Sequence, residues 1–216
     1  MLKSIIGKKI GITQIFDHNG NVTPVTVIEA GPCIISTLRT VEKDGYCAVQ
    51  LGFIDVAEKN LTKPRVGFFK KNNILPKKIL KEFRVDDVST LSIGGEVRVN
   101  VFNIGDYVNI SAISKGKGYS GVIKRHNFSM QPVSHGQSDR TRARGSSGSG
   151  GVQRVFKGTK MSGHLGCKCV TIRKLRVVSI NDKKNVMLVK GAVPSVNGGI
   201  LFISCNIKKI LQCRKV

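Results

Sequence analysis

The sequence predicts a mainly β fold that carries a small helical insert and a long extended basic loop. Short runs that alternate apolar and polar residues end at glycine, proline or asparagine, as strands joined by turns do. Glycine is frequent, with 24 residues, whereas aromatic residues make up only 6%. One stretch, 131–163, has almost no apolar periodicity and is rich in Gly, Ser and Arg. With 216 residues, 40% of them apolar, the chain can bury a core of its own.

The first 53 residues predict four strands. The Asn19-Gly20 pair favours a tight hairpin turn between the first two strands. Pro32 ends the second strand, and Gly45 separates the third from the fourth. The four strands are predicted at 9–16, 22–28, 34–41 and 46–53.

Residues 54–95 have a different character, and we interpret them as a small lysine-rich, partly helical insert on the β body. Pro64 and Pro76 interrupt the insert. Because proline suits the first turn of a helix, a short helix is predicted after each of them. The apolar spacing near Pro76 supports one of these helices, with Ile74, Leu75, Ile79, Leu80 and Phe83 on its apolar face.

The β pattern resumes after the insert, so we assign 1–53 and 96–216 to one body that 54–95 interrupts. A turn is predicted at 181–185, and the chain ends in a short basic tail at 208–216. The strands of this second half are predicted at 96–102, 107–114, 170–180, 186–189 and 200–205.

The charge balance indicates a polyanionic partner. Lys and Arg total 36 against 13 Asp and Glu, which gives a formal net charge of +23. In the isolated chain these positive charges repel one another. Beside a nucleic acid the cations replace the counterions of the phosphates, which is favourable. No apolar run approaches the roughly 18 residues of a membrane span, and no basic amphipathic helix stands out. Nucleic acid is therefore favoured over a membrane surface.

The N-terminal residues predict no signal peptide, because Lys3, Lys8 and Lys9 interrupt the apolar positions. The six cysteines are therefore expected to be reduced thiols that pack as small apolar side chains.

The basic residues concentrate in one segment, 115–168, which is the candidate RNA-binding segment. The window 111–176 holds 14 Lys or Arg and a single acid, Asp139. Within it, 131–163 is too polar to fold on itself and is expected to order on RNA. Doubled back as an arm, it would reach roughly 50 Å at about 3.3 Å per residue.

A nucleotide-binding enzyme is a competing hypothesis, because GKGYSG at 116–121 matches the dinucleotide motif G-x-G-x-x-G. That motif needs a long helix and a second parallel strand after it. Here the chain reaches Pro132 and the Gly/Ser/Arg stretch instead, so no cofactor and no small-molecule substrate are predicted. Glycines that let the backbone approach phosphates fit this context better.

The basic segment also contains His and Cys residues, which bind metals or take part in catalysis in many proteins. His164, Cys167 and Cys169 would need a fourth zinc ligand, which only Cys205 or Cys213 folding back would supply. We instead expect Cys167 and Cys169 to point the same way at the start of a strand. His126 and His135 lack a nucleophile and an orienting acid, so base stacking or phosphate contact is predicted for them.

Several blocks resemble the bacterial type of the large-subunit ribosomal protein three family. The most specific is GKGYSGVIKRHNF at 116–128. It is followed by SHG at 134–136 and RVFKGTKMSGHLG at 154–166. The opening IGKKIGITQIF at 6–16 and the closing LVKGAVP at 188–194 also match, so the blocks span nearly the whole chain in family order.

The resemblance implies a six-stranded β-barrel of the translation-protein type, formed by 1–53 and 96–216, and a structural role in the large ribosomal subunit. It implies binding near the 3′ end of the large-subunit RNA early in assembly, contacts with neighbouring ribosomal proteins, and no enzymatic activity. It further implies an arm tip, Gly145, Ser146, Ser147, Gly148 and Ser149, that approaches the peptidyl-transferase centre. The RNA-binding candidates are Lys115, Lys117, Lys124, Arg125, His126, His135, Arg140, Arg142, Arg144, Arg154, Lys157, Lys160, Arg173 and Lys174.

The ribosome is accordingly the expected location, in the bacterial cytoplasm or in the plastid stroma. The lysine-rich segment 59–81 resembles cyanobacterial and plastid members. A non-ribosomal architectural nucleic-acid-binding protein is the competing function of another class, and it would be fully folded and soluble without RNA.

Overall fold

The structure, a computed structural model, describes residues 2–17 and 20–205. Strand accounts for 41% of the described residues and helix for 12%, so the prediction of a mainly β fold is confirmed. The chain divides into two compact units, Met1–Ile113 with Cys169–Val216, and Ser114–Lys168. The second unit differs by one residue from the predicted basic segment 115–168. Among the described residues, no helix is long and apolar enough to cross a membrane.

The first unit is built on a closed six-stranded barrel, which confirms the expected barrel. Its strands are β1 (Ser4–Phe16), β2 (Val22–Ala30), β7 (Tyr107–Ile113), β10 (Cys169–Asn181), β11 (Val186–Lys190) and β12 (Ile200–Cys205). Neighbouring strands pair antiparallel around the barrel in the order β1-β12-β7-β10-β11-β2.

Alternation along each strand fills the barrel interior. On β7, Val108, Ile110 and Ala112 are buried, while the residues between them face outward. They pair with β12 so that Ile110 lies opposite Ile203 and Ala112 opposite Leu201, both fully buried. The period of two that predicted these strands is therefore the pattern that builds the core.

A second, four-stranded sheet belongs to the same unit, with the order β5-β4-β3-β6. Its apolar residues, including Leu51 and Phe53, join the barrel residues in one continuous core. The ammonium of Lys81 also lies 5.1 Å from the ring centre of Phe202 on β12, a cation–π contact. The strands are β3 (Cys33–Arg39), β4 (Ala48–Asp55), β5 (Lys77–Arg84) and β6 (Glu96–Val97).

Three sequence-based expectations are corrected by this sheet. The third and fourth predicted strands do not enter the barrel but pair with β5 and β6. The helix expected after Pro76 is wrong, since β5 occupies that position and pairs with β4 from Lys77 onward. The strand predicted at 96–102 ends after Val97, and a short 3-10 helix, Val99–Val101, follows it.

Helices are few and short in the described part of the chain. The helix expected at Pro64 does form, as α2 (Lys63–Lys71), with the proline in its first turn as predicted. A single turn, α1 (Val41–Asp44), connects β3 to β4. The expected hairpin joins β1 to β2, and the amide of Gly20 donates to the carbonyl of Asp17 at 2.8 Å. Asn19, Cys213 and the predicted tail at 208–216 lie outside the described residues.

Cys33 is expected to resist alkylation in the folded chain. Burial raises the pKa of its thiol from 9.0 to about 12, and the thiol donates a hydrogen bond to the carbonyl of Ile6 at 3.4 Å. The thiolate is the reactive form, so this higher pKa lowers the thiolate fraction about a thousandfold near pH 8. Iodoacetamide labelling with peptide mass spectrometry should modify the exposed Cys167 and Cys169 and spare Cys33 until urea unfolds the chain. Equal labelling of Cys33 and Cys167 before unfolding would contradict this.

Candidate nucleic-acid interface

The second unit, Ser114–Lys168, carries most of the candidate residues. It contains eleven Lys or Arg, namely Lys115, Lys117, Lys124, Arg125, Arg140, Arg142, Arg144, Arg154, Lys157, Lys160 and Lys168. Asp139 is its one acid. None of the ion pairs found within the described part of the chain involves a residue of this unit. Among the described residues, these cations therefore have no anionic partner.

The two ends of the unit run side by side and form a neck. A two-stranded ladder pairs β8 (Tyr119–Ser120) with β9 (Gly163–His164) in antiparallel fashion. Outside the ladder, the amide of Lys117 donates to the carbonyl of Leu165 at 2.9 Å, and the amide of Leu165 donates to the carbonyl of Gly118 at 2.9 Å. These backbone bonds hold the two ends of the basic segment together without depending on side chains.

Glycine is required at Gly166 because the backbones in the neck approach each other closely. A Cβ placed there would overlap the carbonyl oxygen of Lys115 and lie 2.9 Å from the Cα of Gly116. Gly166 also has a φ of +83°, which other residues adopt only at a cost. Gly116, Gly163 and Gly166 of the two glycine-containing blocks thus allow close packing within the neck.

Arg125 and His126 make hydrogen bonds within the protein at the start of the arm. Both lie in or at the end of α3 (Val122–His126). The Nη1 of Arg125 donates to the carbonyl oxygen of Met161 at 2.7 Å, and the Nε2 of His126 lies 3.1 Å from the same oxygen. The guanidinium of Arg125 also packs on Gly163. These two RNA-binding candidates therefore hold the C-terminal end of the arm, at Met161, next to its N-terminal end.

Between α3 and β9 the chain forms turns without strand or helix, as expected for the arm at 131–163. Few hydrogen bonds stabilise it, one of them from the amide of Gln131 to the carbonyl of Thr141 at 3.0 Å. Apolar side chains such as Val133 (77% exposed) and Phe156 (54% exposed) point to solvent. The described arm therefore has little apolar packing of its own.

The predicted tip residues are exposed, and they directly follow Arg144, which lies near Gly121 and Ser162 at the neck. Gly145 has a φ of +88°, and the hydroxyl of Ser146 donates to the carbonyl of Gly148 at 2.9 Å. Ser147 and Ser149 are exposed beside them. His135, Arg140, Arg154, Lys157 and Lys160 are exposed as well, so their charged or polar groups are accessible to a polyanion.

Two candidates lie in the other unit. Arg173 and Lys174 are exposed on β10, where the register with β7 shifts between Ile172 and Leu175. Lys174 has a φ of +58°, and its amide donates to the side-chain oxygen of Asn109 at 3.1 Å. The bulge turns both cations away from the regular ladder.

The geometry of 116–121 does not suit a dinucleotide. The helix that follows, α3, has five residues and ends at Asn127 in the left-handed conformation. The strand next to this stretch, β9, is antiparallel to it. A pyrophosphate site needs a long helix between parallel strands, which this arrangement lacks.

The cysteine expectation needs correction. Cys169 begins β10, but Cys167 precedes the strand with a φ of +50°, so the two do not share a strand face. Within residues 2–17 and 20–205, no group of three or more His, Cys, Asp or Glu lies close enough to hold a metal. Cys213 falls outside those ranges.

Sequence reasoning missed the residues that shape the neck. Met161 contributes a backbone carbonyl, which has no side-chain signature. Gly163 and Gly166 stand in the family-like block at 154–166, yet their packing role follows only from the partners that the fold brings close. Ser162, whose hydroxyl bonds the hydroxyl of Tyr119 across the neck, likewise has no signal in the sequence.

The sequence of the chain is similar to those of proteins of the large ribosomal subunit. The family model described as Ribosomal protein L3 matches residues 85–195, just over half of the chain. A protein of Endomicrobium trichonymphae named large ribosomal subunit protein uL3 is 61% identical over 97% of this chain and 92% of its own length. Proteins of the same name from Brachyspira hyodysenteriae and Heliobacterium modesticaldum are 48% and 47% identical over 95% of this chain, covering 94% and 98% of their own lengths. The resemblance found in the sequence blocks is confirmed, and the chain belongs to the ribosomal protein L3 family.

Proposed function

We propose that the chain is a structural constituent of the large ribosomal subunit that binds ribosomal RNA through Ser114–Lys168. The observation that carries the proposal is the charge of this unit, eleven cations to one acid with no ion pair among its described residues, in a relative of uL3 proteins. As a member of this family the chain is not an enzyme. Neighbouring ribosomal proteins are its further partners.

In this mechanism the cations of the arm replace counterions on RNA phosphates. Backbone amides at the exposed glycines donate to phosphates or 2′-hydroxyls, where a Cβ would keep the RNA away. Arg173 and Lys174 on the β10 bulge add contacts from the barrel. Contacts with RNA add to the few internal contacts of the arm and fix its conformation.

The finer features of the proposal come from the family resemblance. They are binding near the 3′ end of the large-subunit RNA, a part in early assembly, and an arm tip at 145–149 directed toward the peptidyl-transferase centre. The exposed, glycine-rich tip supports the last of these, because a narrow backbone can enter between RNA helices. The bacterial sources of the relatives favour the bacterial cytoplasm over the plastid stroma.

Sedimentation tests this function. A native lysate is separated on a sucrose gradient at increasing salt, and the chain is followed by mass spectrometry. We expect it to migrate with large subunits in a one-to-one ratio and to remain there at high salt. Migration in soluble fractions, or loss at modest salt, would refute a core ribosomal role and favour the non-ribosomal nucleic-acid binder.

Replacing Arg140, Arg142 and Arg144 together by alanine should weaken RNA binding and its dependence on salt. These residues form no ion pair with the acids that the structure describes, so their charges are free to act on phosphates. With three fewer phosphate contacts, the slope of log K against log salt should flatten by about two to three. Filter binding across a salt series measures this, and an unchanged slope would exclude these arginines from the interface.

A further inference from the structure

The second unit contains a cavity that no sequence pattern indicated. Its volume is about 260 Å³, and it is lined by Gly121, Val122, Arg142, Arg144, Met161 and Ser162. All six residues lie within Ser114–Lys168, so one unit forms the whole site. The volume is below the roughly 300 Å³ at which pockets for drug-sized ligands begin. It suits part of a polymer, such as a phosphate with its sugar, better than a complete cofactor.

Two guanidinium groups line this cavity without an acidic partner in the described ranges. Neither Arg142 nor Arg144 forms an ion pair with any residue there. The Nη1 of Arg142 lies 3.2 Å from the Sδ of Met130, and a neutral thioether is too weak an acceptor to offset the charge. Arg144 is half-buried, so part of its hydration is lost, whereas Arg142 is exposed. A bound anion would offset the lost hydration of Arg144 and would be within reach of Arg142.

The rest of the cavity wall consists of two apolar side chains and one hydroxyl group. Val122 is buried, and Met161 is 41% exposed, so each presents an apolar surface of limited size. The hydroxyl of Ser162 is held by the hydroxyl of Tyr119 and keeps capacity for a second hydrogen bond. This combination matches a ribose, which has an apolar face and hydroxyl groups beside the phosphate.

We propose that the cavity binds one phosphodiester group of RNA together with its ribose. Arg142 and Arg144 bind the phosphate oxygens, and Ser162 hydrogen-bonds the sugar. The proposal rests on the proposed RNA-binding function and names one contact within it. Because guanidinium forks bind phosphate oxygens in pairs and in a fixed plane, the site sets the register of the RNA strand at the root of the arm.

Arg65 provides the control for the loss of a guanidinium, because it is exposed on α2 in the first unit and lies outside the proposed interface. The probe is a transcript of the 3′-terminal part of large-subunit RNA, and the full chain is used throughout. Arg142→Lys with Arg144→Lys keeps both charges but removes the forks, and should weaken binding by about tenfold or more. Arg65→Lys should leave the affinity within about twofold, since it also exchanges a guanidinium for an ammonium but outside the interface.

Phosphate-ethylation interference gives a second readout that does not depend on overall affinity. With the unaltered chain, ethylation of one discrete phosphate should block binding. That interference should disappear with Arg142→Ala plus Arg144→Ala and persist with Arg140→Ala. Circular dichroism checks that the β body of each variant is folded.

The outcomes separate this site from the proposed function. Equal effects of the Arg65 variant and the paired lysine variant, or an interference pattern that the alanine pair does not change, would overturn the cavity while RNA binding stands. Failure of the unaltered chain to bind the transcript would overturn the RNA-binding function, and the cavity with it.

Discussion

Deleting the arm should lower the affinity of the chain for large-subunit RNA on the order of a thousandfold at low salt. Residues 129–160 would be replaced by a short Gly-Ser linker, which removes six cations, Arg140, Arg142, Arg144, Arg154, Lys157 and Lys160. With six fewer phosphate contacts, the slope of log K against log salt should flatten by about four to five. Filter binding over a salt series measures both quantities.

The deletion is designed to spare the neck. His126 lies 3.1 Å from the carbonyl of Met161, so the two cut ends are already close. The ladder between β8 and β9 and the bond from Arg125 to Met161 also remain. Thermal unfolding of the barrel should be unchanged. A deleted chain that binds RNA as tightly and with the same salt slope as the full chain would show that the arm is not the interface.

Gly166→Ala should have the largest effect of any single substitution in the second unit. The added Cβ overlaps the backbone oxygen of Lys115, a contact that no side-chain rotation relieves. An alanine at a φ of +83° costs a further amount of about 1–2 kcal/mol. The neck must open, which separates the ends of the arm, and RNA affinity should fall at least about tenfold. Titration with the RNA transcript measures it, and calorimetry should show the barrel transition unchanged.

Gly118→Ala is the matched control for this substitution. Gly118 lies in the same neck and also has a positive φ, +62°, but nothing lies within 4 Å of its added Cβ. It should therefore cost only the conformational strain and leave most of the RNA affinity. Equal losses for the two variants would mean that backbone conformation, and not the close approach of the two segments, limits the neck.

The fold was predictable where the local pattern determines the structure. β12 forms at the predicted residues, and β7, β10 and β11 differ from the prediction by one residue at one or both ends. These strands were predictable because apolar and polar residues alternate along a strand that has one buried face. Ile79, Leu80 and Phe83 led to the wrong prediction of a helix, because apolar residues separated by one, three and four positions also lie on one face of a helix. In the structure these residues lie on β5, where pairing with β4 decides the conformation. Strand partners carry no local signal either, so the sequence did not separate β3 and β4 from the barrel.

The candidate interface was predictable only as far as its charge. The lack of acids around the arm is visible in composition, and it located the second unit closely. The neck and the cavity depend on a carbonyl oxygen of Met161 and on van der Waals contact at Gly166, which carry no residue-type signal. For the same reason the sequence does not distinguish Arg125, which is bonded to Met161, from the exposed Arg140.

Protein–RNA crosslinking by ultraviolet light in native large subunits tests the central claim most directly. Peptide mass spectrometry locates the crosslinked residues along the chain. We expect them to concentrate in 114–168, with a further group at Arg173 and Lys174. Crosslinks that fall instead on the four-stranded sheet and the β1–β2 hairpin, with none in 114–168, would contradict the assignment of the RNA-binding surface to the second unit.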